Sequence, residues 1–311
     1  MPDIELRFHK DMLVLSSPVD EVLLRQGFGS DGAVNASDVA YADLVEPEAI
    51  KEALRMNIVA GAQCLVAPTA GITPARLRAS GLEDRGAEIV QSALKITRSL
   101  TPQHVLVEIA PCDLPLDPSS KNSLNEHRDQ YARAARFCAG EAFDGFFLNG
   151  FKNPTDLKCA LMGVRQVSDA PIVASVDVVG VNDAGVGVLA DGHHVFSEAL
   201  AVMGEYGATV AGFATPGDPE VVARLIDETL SNLSLPVLAQ LVVREVNARQ
   251  GEMTNQNPYF SPDVCVGVAA QLRQQGAQFL RAAGHATPAF TSALVAATAG
   301  FDVVRPDIEE D

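Results

Sequence analysis

From about residue 20 onward, short apolar runs alternate with longer stretches in which apolar residues recur every three or four positions. The short runs predict strands at Glu21–Leu24, Gln63–Ala67, His104–Ile109, Gly145–Leu148, Ile172–Asp177, Thr209–Phe213, Val237–Leu241 and Gln278–Ala282. Most are continuously apolar rather than alternating, the pattern of strands covered on both faces. The stretches between them predict helices with distinct starts: Pro47 after Glu46, Asn153 before Pro154, Asp218 before Pro219, Ser261 before Pro262 and Thr287 before Pro288. Arg85–Leu100 and Leu124–Glu141 carry one apolar face each. Eight successive units of strand, polar loop and capped helix predict an α/β fold, and their number favours closure into a (β/α)8 TIM barrel as a single domain over 1–311.

Two segments stand outside the repeat. Residues 1–19 are expected to form an N-terminal extension, as a hairpin or a plug, and 304–311 an acidic tail. Four long stretches, Gln26–Val45, Ala110–Ser123, Val178–His193 and Val242–Pro262, follow predicted strand ends. In a barrel such loops gather at one face and build the site.

Composition narrows the function classes. Hydrophobic residues make up 47% and charged residues 20% of 311, enough for a large core. A net charge of −17 repels phosphate backbones and anionic lipid, so neither nucleic acid nor a membrane is an expected partner. The longest apolar runs fall short of the ~20 residues of a membrane span. The N-terminus has acids where a signal peptide has basic residues, which predicts a cytoplasmic location. Five scattered cysteines, at 64, 112, 138, 159 and 265, fit reduced thiols better than a disulfide framework or a zinc ribbon.

Several passages, in order along the chain, resemble the homocysteine S-methyltransferase family, which includes the homocysteine domain of cobalamin-dependent methionine synthase. Val22-Leu-Leu-Arg-Gln-Gly-Phe-Gly-Ser resembles its opening strand and glycine turn, LLLDGAMGT. Glu46-Pro-Glu-Ala-Ile with Ala60-Gly-Ala-Gln, Glu108-Ile-Ala-Pro-Cys, Asp144-Gly-Phe-Phe-Leu-Asn-Gly and Ala170-Pro-Ile-Val-Ala-Ser follow at fitting intervals. Gln275-Gly-Ala-Gln-Phe-Leu-Arg-Ala-Ala-Gly-His-Ala-Thr-Pro parallels the closing passage around Gly-Gly-Cys-Cys-Gly-Thr. The resemblance implies a methyltransferase barrel whose zinc is held by three thiolates, and a corrinoid protein as a donor partner. Here the three thiolate positions read Thr215, Ala283 and Gly284, so no metal, and in particular no thiolate-bound zinc, is expected there. The family's opening aspartate corresponds to Arg25 and its carboxylate after strand four to Asn149, changes that favour an anionic or neutral ligand over an amino acid.

The candidate site residues follow predicted strand ends. His285 and Asp177 are candidate acid–base groups, and Arg25, Cys112, Asn149, Thr215, Arg244 and Glu245 candidate contacts to a small-molecule substrate. Each has a plainer alternative as a loop residue or cap. His193-His194 offers two imidazoles without a third ligand nearby. The functional expectation is methyl transfer between a small molecule and a donor or acceptor without thiolate-bound zinc. The alternatives are a binding or regulatory subunit that has lost the metal site, and a different enzyme on the same scaffold.

Overall fold

Parallel pairing of the apolar runs organises the chain. The computed structural model describes residues 3–29 and 33–304. Its strands are β1 (Leu13–Val14), β2 (Cys64–Ala67), β3 (His104–Ile109), β4 (Gly145–Phe151), β5 (Ile172–Val181), β6 (Gly187–Leu189), β7 (Val210–Thr215), β8 (Val237–Val243) and β9 (Ala277–Gly284). The order of the main sheet is β1-β9-β8-β7-β5-β4-β3-β2, every pair parallel. A parallel bridge from Leu15 to Cys64 joins the two ends, which makes an eight-stranded barrel. Strand β6 is the exception: it folds back antiparallel on the overhanging end of β5 as a hairpin.

The helices are α1 (Asp20–Arg25), α2 (Ala36–Val45), α3 (Pro47–Val59), α4 (Pro74–Ala79), α5 (Gly86–Ser99), α6 (Lys121–Arg136), α7 (Pro154–Arg165), α8 (Phe196–Glu205), α9 (Pro219–Asn232), α10 (Pro262–Gln274) and α11 (Pro288–Thr298). Two of the caps read from sequence have the expected bonds: Asn153 accepts from the Asp156 amide, and Asp218 from the amides of Glu220 and Val221. These bonds satisfy amide groups that the first helical turn leaves open.

The first strand differs from its sequence expectation. Glu21–Leu24 is part of α1, with Asp20 and Glu21 in the first turn and Arg25 in the last, charges that suit the helix dipole. The barrel instead begins at Leu13, inside the segment expected to be an extension, and Arg25 therefore follows a helix rather than a strand. The remainder of the early segment closes the barrel's lower end. Ile4 is 1% exposed and packs with Leu13, Leu15, Val66, Leu106, Phe147 and Phe279. Phe8 meets Phe279 edge-on, and Gln278 donates to the carbonyls of Arg7 and Asp11. Of the expected acidic tail, 305–311 lies outside the described residues.

Candidate functional site

Side chains alternate along a strand, so residues two apart share the barrel interior. Leu106, Phe147, Val173, Leu238 and Phe279 form one apolar interior cluster. Two residues farther along, their strands carry Glu108, Asn149, Ser175, Gln240 and Arg281. The barrel is thus greasy below and polar near the C-terminal strand ends. The polar layer is one connected network. Asn149 donates to Glu108 at 2.7 Å, and Gln240 donates to Asn149 at 2.8 Å and to Ser175 at 2.7 Å. Arg281, 2% exposed, donates to the Ser16 carbonyl at 3.0 Å and to Gln240 at 3.3 Å. Its guanidinium also lies 3.7 Å from Glu108 and 5.1 Å over the Phe147 ring. A charge buried this deeply needs such compensation.

Above this layer opens a cavity of about 510 Å3. Its polar lining includes Asp20, Glu108, Asn149, Asp177, Gln240 and Arg281, with Val19, Val39, Val66, Val178 and Val242 among its apolar walls. Helix α1 brings Asp20 to it, α2 contributes Ala36 and Val39, and the β5–β6 hairpin overhangs it with Val178, Val179 and Ala190. Burial raises the Asp20 carboxyl to about 6, with Glu108 and Glu21 adding to the effect and Arg281 opposing it. Burial likewise raises Asp177 to about 6, against the pull of Lys152. Two carboxyl groups that change charge near pH 6 in one cavity are suited to moving a proton at neutral pH.

The sequence-derived candidates divide around this cavity. Asn149 and Asp177 line it. His285 stands just past the lining residue Gly284, 63% exposed, with its Nδ1 2.6 Å from Glu21. The others are elsewhere. Arg25 is exposed at the end of α1, and Arg244 and Glu245 are exposed in the loop after β8, where the Arg244 guanidinium binds the Gln256 carbonyl. Thr215 is fully buried and receives the Gly217 amide on its hydroxyl, while its neighbours Ala214 and Pro216 line the cavity. Cys112 is 1% exposed behind the barrel wall, packed against α6 and α7, and burial pushes its thiol up. The anionic-ligand expectation rested partly on Arg25, and the cavity instead gathers Asp20, Glu108 and Asp177.

Asp20, Glu108, Gln240 and Arg281 escaped the sequence reading. For three of them a signal existed: a polar residue inside an apolar strand, two positions after a core residue. Asp20 had none, because its segment reads as a strand.

The family's zinc positions do not fit a thiolate site. Ala283 and Gly284 line the cavity, and neither they nor Thr215 offers sulfur. Gly284 has φ +65°, and a Cβ built there would lie 2.5 Å from the Val243 carbonyl oxygen. The backbone is therefore committed to glycine at a position where the family places cysteine. No cysteine or histidine is among the described residues that line the cavity. Among the described residues, one group of three could hold a metal ion, Cys112 with His127 and Asp156, and it lies outside the cavity. No helix among the described residues is long and apolar enough to cross a membrane.

Comparison with known proteins agrees with this architecture. A search of curated proteins gives no significant match to the sequence. The homocysteine methyltransferase MmuM from Escherichia coli, in its metallated form, superposes with a TM-score of 0.72 at 16% identity, over 92% of this chain and 96% of that one. Its oxidised form gives 0.72 at 15% identity over the same shares. The carboxyl transferase domain of Rhizobium etli pyruvate carboxylase, as the Y628A variant with pyruvate, is more distant. It gives a TM-score of 0.50 at 10% identity, over 90% of this chain and 41% of that one. The model of the homocysteine S-methyltransferase family matches residues 19–292, which spans all the strands except β1. The chain belongs to the homocysteine S-methyltransferase family, and at family level it is a methyltransferase.

Proposed function

We propose that this barrel transfers a methyl group between a small cationic molecule held in the cavity and a donor or acceptor, without a thiolate-bound zinc at the family's positions. The observation that carries this is the makeup of the cavity. Among the described residues it has three carboxyl groups, a single arginine already engaged by Glu108, Gln240 and a backbone carbonyl, and no thiol or imidazole in the lining. Such a lining favours a positively charged head and offers nothing soft to hold zinc.

Asp177 would accept the proton of the attacking group as its bond to the methyl carbon forms and the methyl's bond to the donor atom breaks, the electron pair leaving with the demethylated donor. Asn149, on the neighbouring strand β4 and fixed by Glu108 and Gln240, would orient the substrate beside it. Asp20 gives a second proton-handling group on the side of α1. His285, paired with Glu21, would act at the rim rather than on the reacting atoms.

The test is methyl transfer from S-methylmethionine, methyltetrahydrofolate or a methylated corrinoid protein to a panel of small thiols and amines. The expected result is turnover that rises through about pH 6 and falls about a hundredfold in kcat in Asp177→Asn. Unchanged turnover in Asp177→Asn would remove the acid–base role, and turnover only with the corrinoid protein would identify it as the donor partner.

A further inference from the structure

Outside the cavity, three separate segments bring unlike donor atoms together. Cys112 follows β3, His127 lies on α6, and Asp156 lies in the first turn of α7. They are 1%, 2% and 7% exposed. Their ligand atoms all lie within 4.8 Å of one another. Cys112 Sγ is 3.5 Å from His127 Nδ1, which is 2.9 Å from Asp156 Oδ1.

We propose that Cys112, His127 and Asp156 form a zinc site that clamps the loop after β3 to helices α6 and α7, separate from the methyl-transfer cavity. Tetrahedral zinc, with bonds of about 2.3 Å to sulfur and about 2.0–2.2 Å to nitrogen or oxygen, spaces its donors roughly 3.3–3.7 Å apart. The 3.5 Å and 2.9 Å separations need only a sub-ångström adjustment to reach that spacing, and the third, between Cys112 Sγ and the Asp156 carboxylate, lies within 4.8 Å and closes by roughly 1 Å at most. Sulfur, imidazole and carboxylate together suit zinc better than calcium or magnesium, which take oxygen.

The surroundings are those of a ligand set. His127 Nε2 lies 3.4 Å from the Pro115 carbonyl, so its N–H faces a backbone acceptor and Nδ1 is turned to the cluster. The Tyr131 hydroxyl donates to Asp156 Oδ1 at 2.8 Å and accepts from the Cys112 amide at 3.1 Å, which ties two of the donors together. Helices α6 and α7 come close enough to present His127 and Asp156 to each other because residue 163 is glycine. A Cβ there would lie 2.5 Å from the Arg128 carbonyl oxygen.

Charge also balances. When zinc binds, Zn–S, Zn–N and Zn–O bonds form, and the thiol proton, with any proton on Nδ1, leaves to solvent. Thiolate, imidazole, carboxylate and Zn2+ sum to zero, so the metal-bound site carries no net charge.

The test uses the full chain stripped with a chelator and titrated with Co2+, then Zn2+. The site predicts one Co2+ per chain with a thiolate-to-cobalt charge-transfer band, displaced by Zn2+, and a rise in Tm with zinc. Cys112→Ser, nearly isosteric, should lose both the band and the zinc-dependent rise. Asp156→Asn should weaken binding at least about tenfold. Circular dichroism of the metal-free variants separates lost binding from lost folding, and His127→Gln supplies a second ligand variant. No band and no Tm shift in the wild type, or both retained in Cys112→Ser, would overturn the site and leave a hydrogen-bonded cluster. The readouts are independent of methyl transfer, so failure here and failure of the proposed function are distinguishable.

Discussion

Asp20 and Asp177 each carry a folded-state pKa of about 6 against an ordinary value of 3.8. A raised acid stabilises the fold fully below its unfolded pKa, and that contribution is lost as pH rises through the folded one. Between about pH 3.8 and 6 the folded state therefore holds more protons than the unfolded state, and stability falls with rising pH. The shift corresponds to at most about 3 kcal/mol per group. Asp177→Asn and Asp20→Asn should each raise stability by about 1–3 kcal/mol at pH 7–8 and flatten this slope, as urea melts across pH 4–8 would record. A gain in stability together with a loss of turnover is the expected signature of carboxyl groups kept for function. Equal stability at pH 7.5 and an unchanged slope would contradict it. Gly284 makes a second residue-scale case. Its φ of +65° and the Val243 carbonyl 2.5 Å from a built Cβ mean that Gly284→Cys should cost about 2–4 kcal/mol. Restoring all three family cysteines, with Thr215→Cys and Ala283→Cys, should therefore give a destabilised protein that gains no zinc in the cavity, as metal analysis would reveal.

Among the elements, α6 and α7 meet most tightly at Gly163, where Tyr131 Cβ would lie 2.9 Å from a built Cβ. Gly163→Ala should separate the helices and destabilise by about 1–3 kcal/mol, with a lower midpoint in denaturant melts. Seven of the eight barrel strands were legible in the sequence because each is a continuous apolar run that ends at a polar loop; His104–Ile109 keeps both its bounds. The eighth was not. Leu13–Val14 forms only two ladder pairs with β9, and its apolar run, Met12-Leu-Val-Leu, lies in the segment set outside the repeat because Val22-Leu-Leu nearby looked like the first strand. The acids and arginine that bracket that run mark it as a short helix. Misplacing it moved Arg25 into the site and hid Asp20. The hairpin strand β6 was also hidden, because Gly187-Val-Leu lies inside a loop whose pairing partner is the overhang of β5. Asn149 and Asp177 were found because they stand at the ends of the apolar runs Gly145–Leu148 and Ile172–Asp177, whereas Glu108, Gln240 and Arg281 lie within the expected strands, where buried polar residues are exceptional.

Across the whole molecule, the early segment and the C-terminal strand ends divide the work. Ile4 and Phe8 close the lower end against Phe279, and the polar network of Glu108, Asn149, Gln240 and Arg281 forms the floor of the cavity above. The same barrel that supports a family zinc elsewhere here offers carboxyl groups at its mouth, and the one group of three among the described residues that could hold a metal lies behind its wall. The most direct measurement is methyl transfer by the chelator-stripped Cys112→Ser variant, which removes the proposed clamp, with and without added zinc. Turnover should not depend on zinc and should fall about a hundredfold with Asp177→Asn. Turnover that is abolished by the chelator and restored by one equivalent of zinc in that variant would place the metal in the cavity and contradict this expectation.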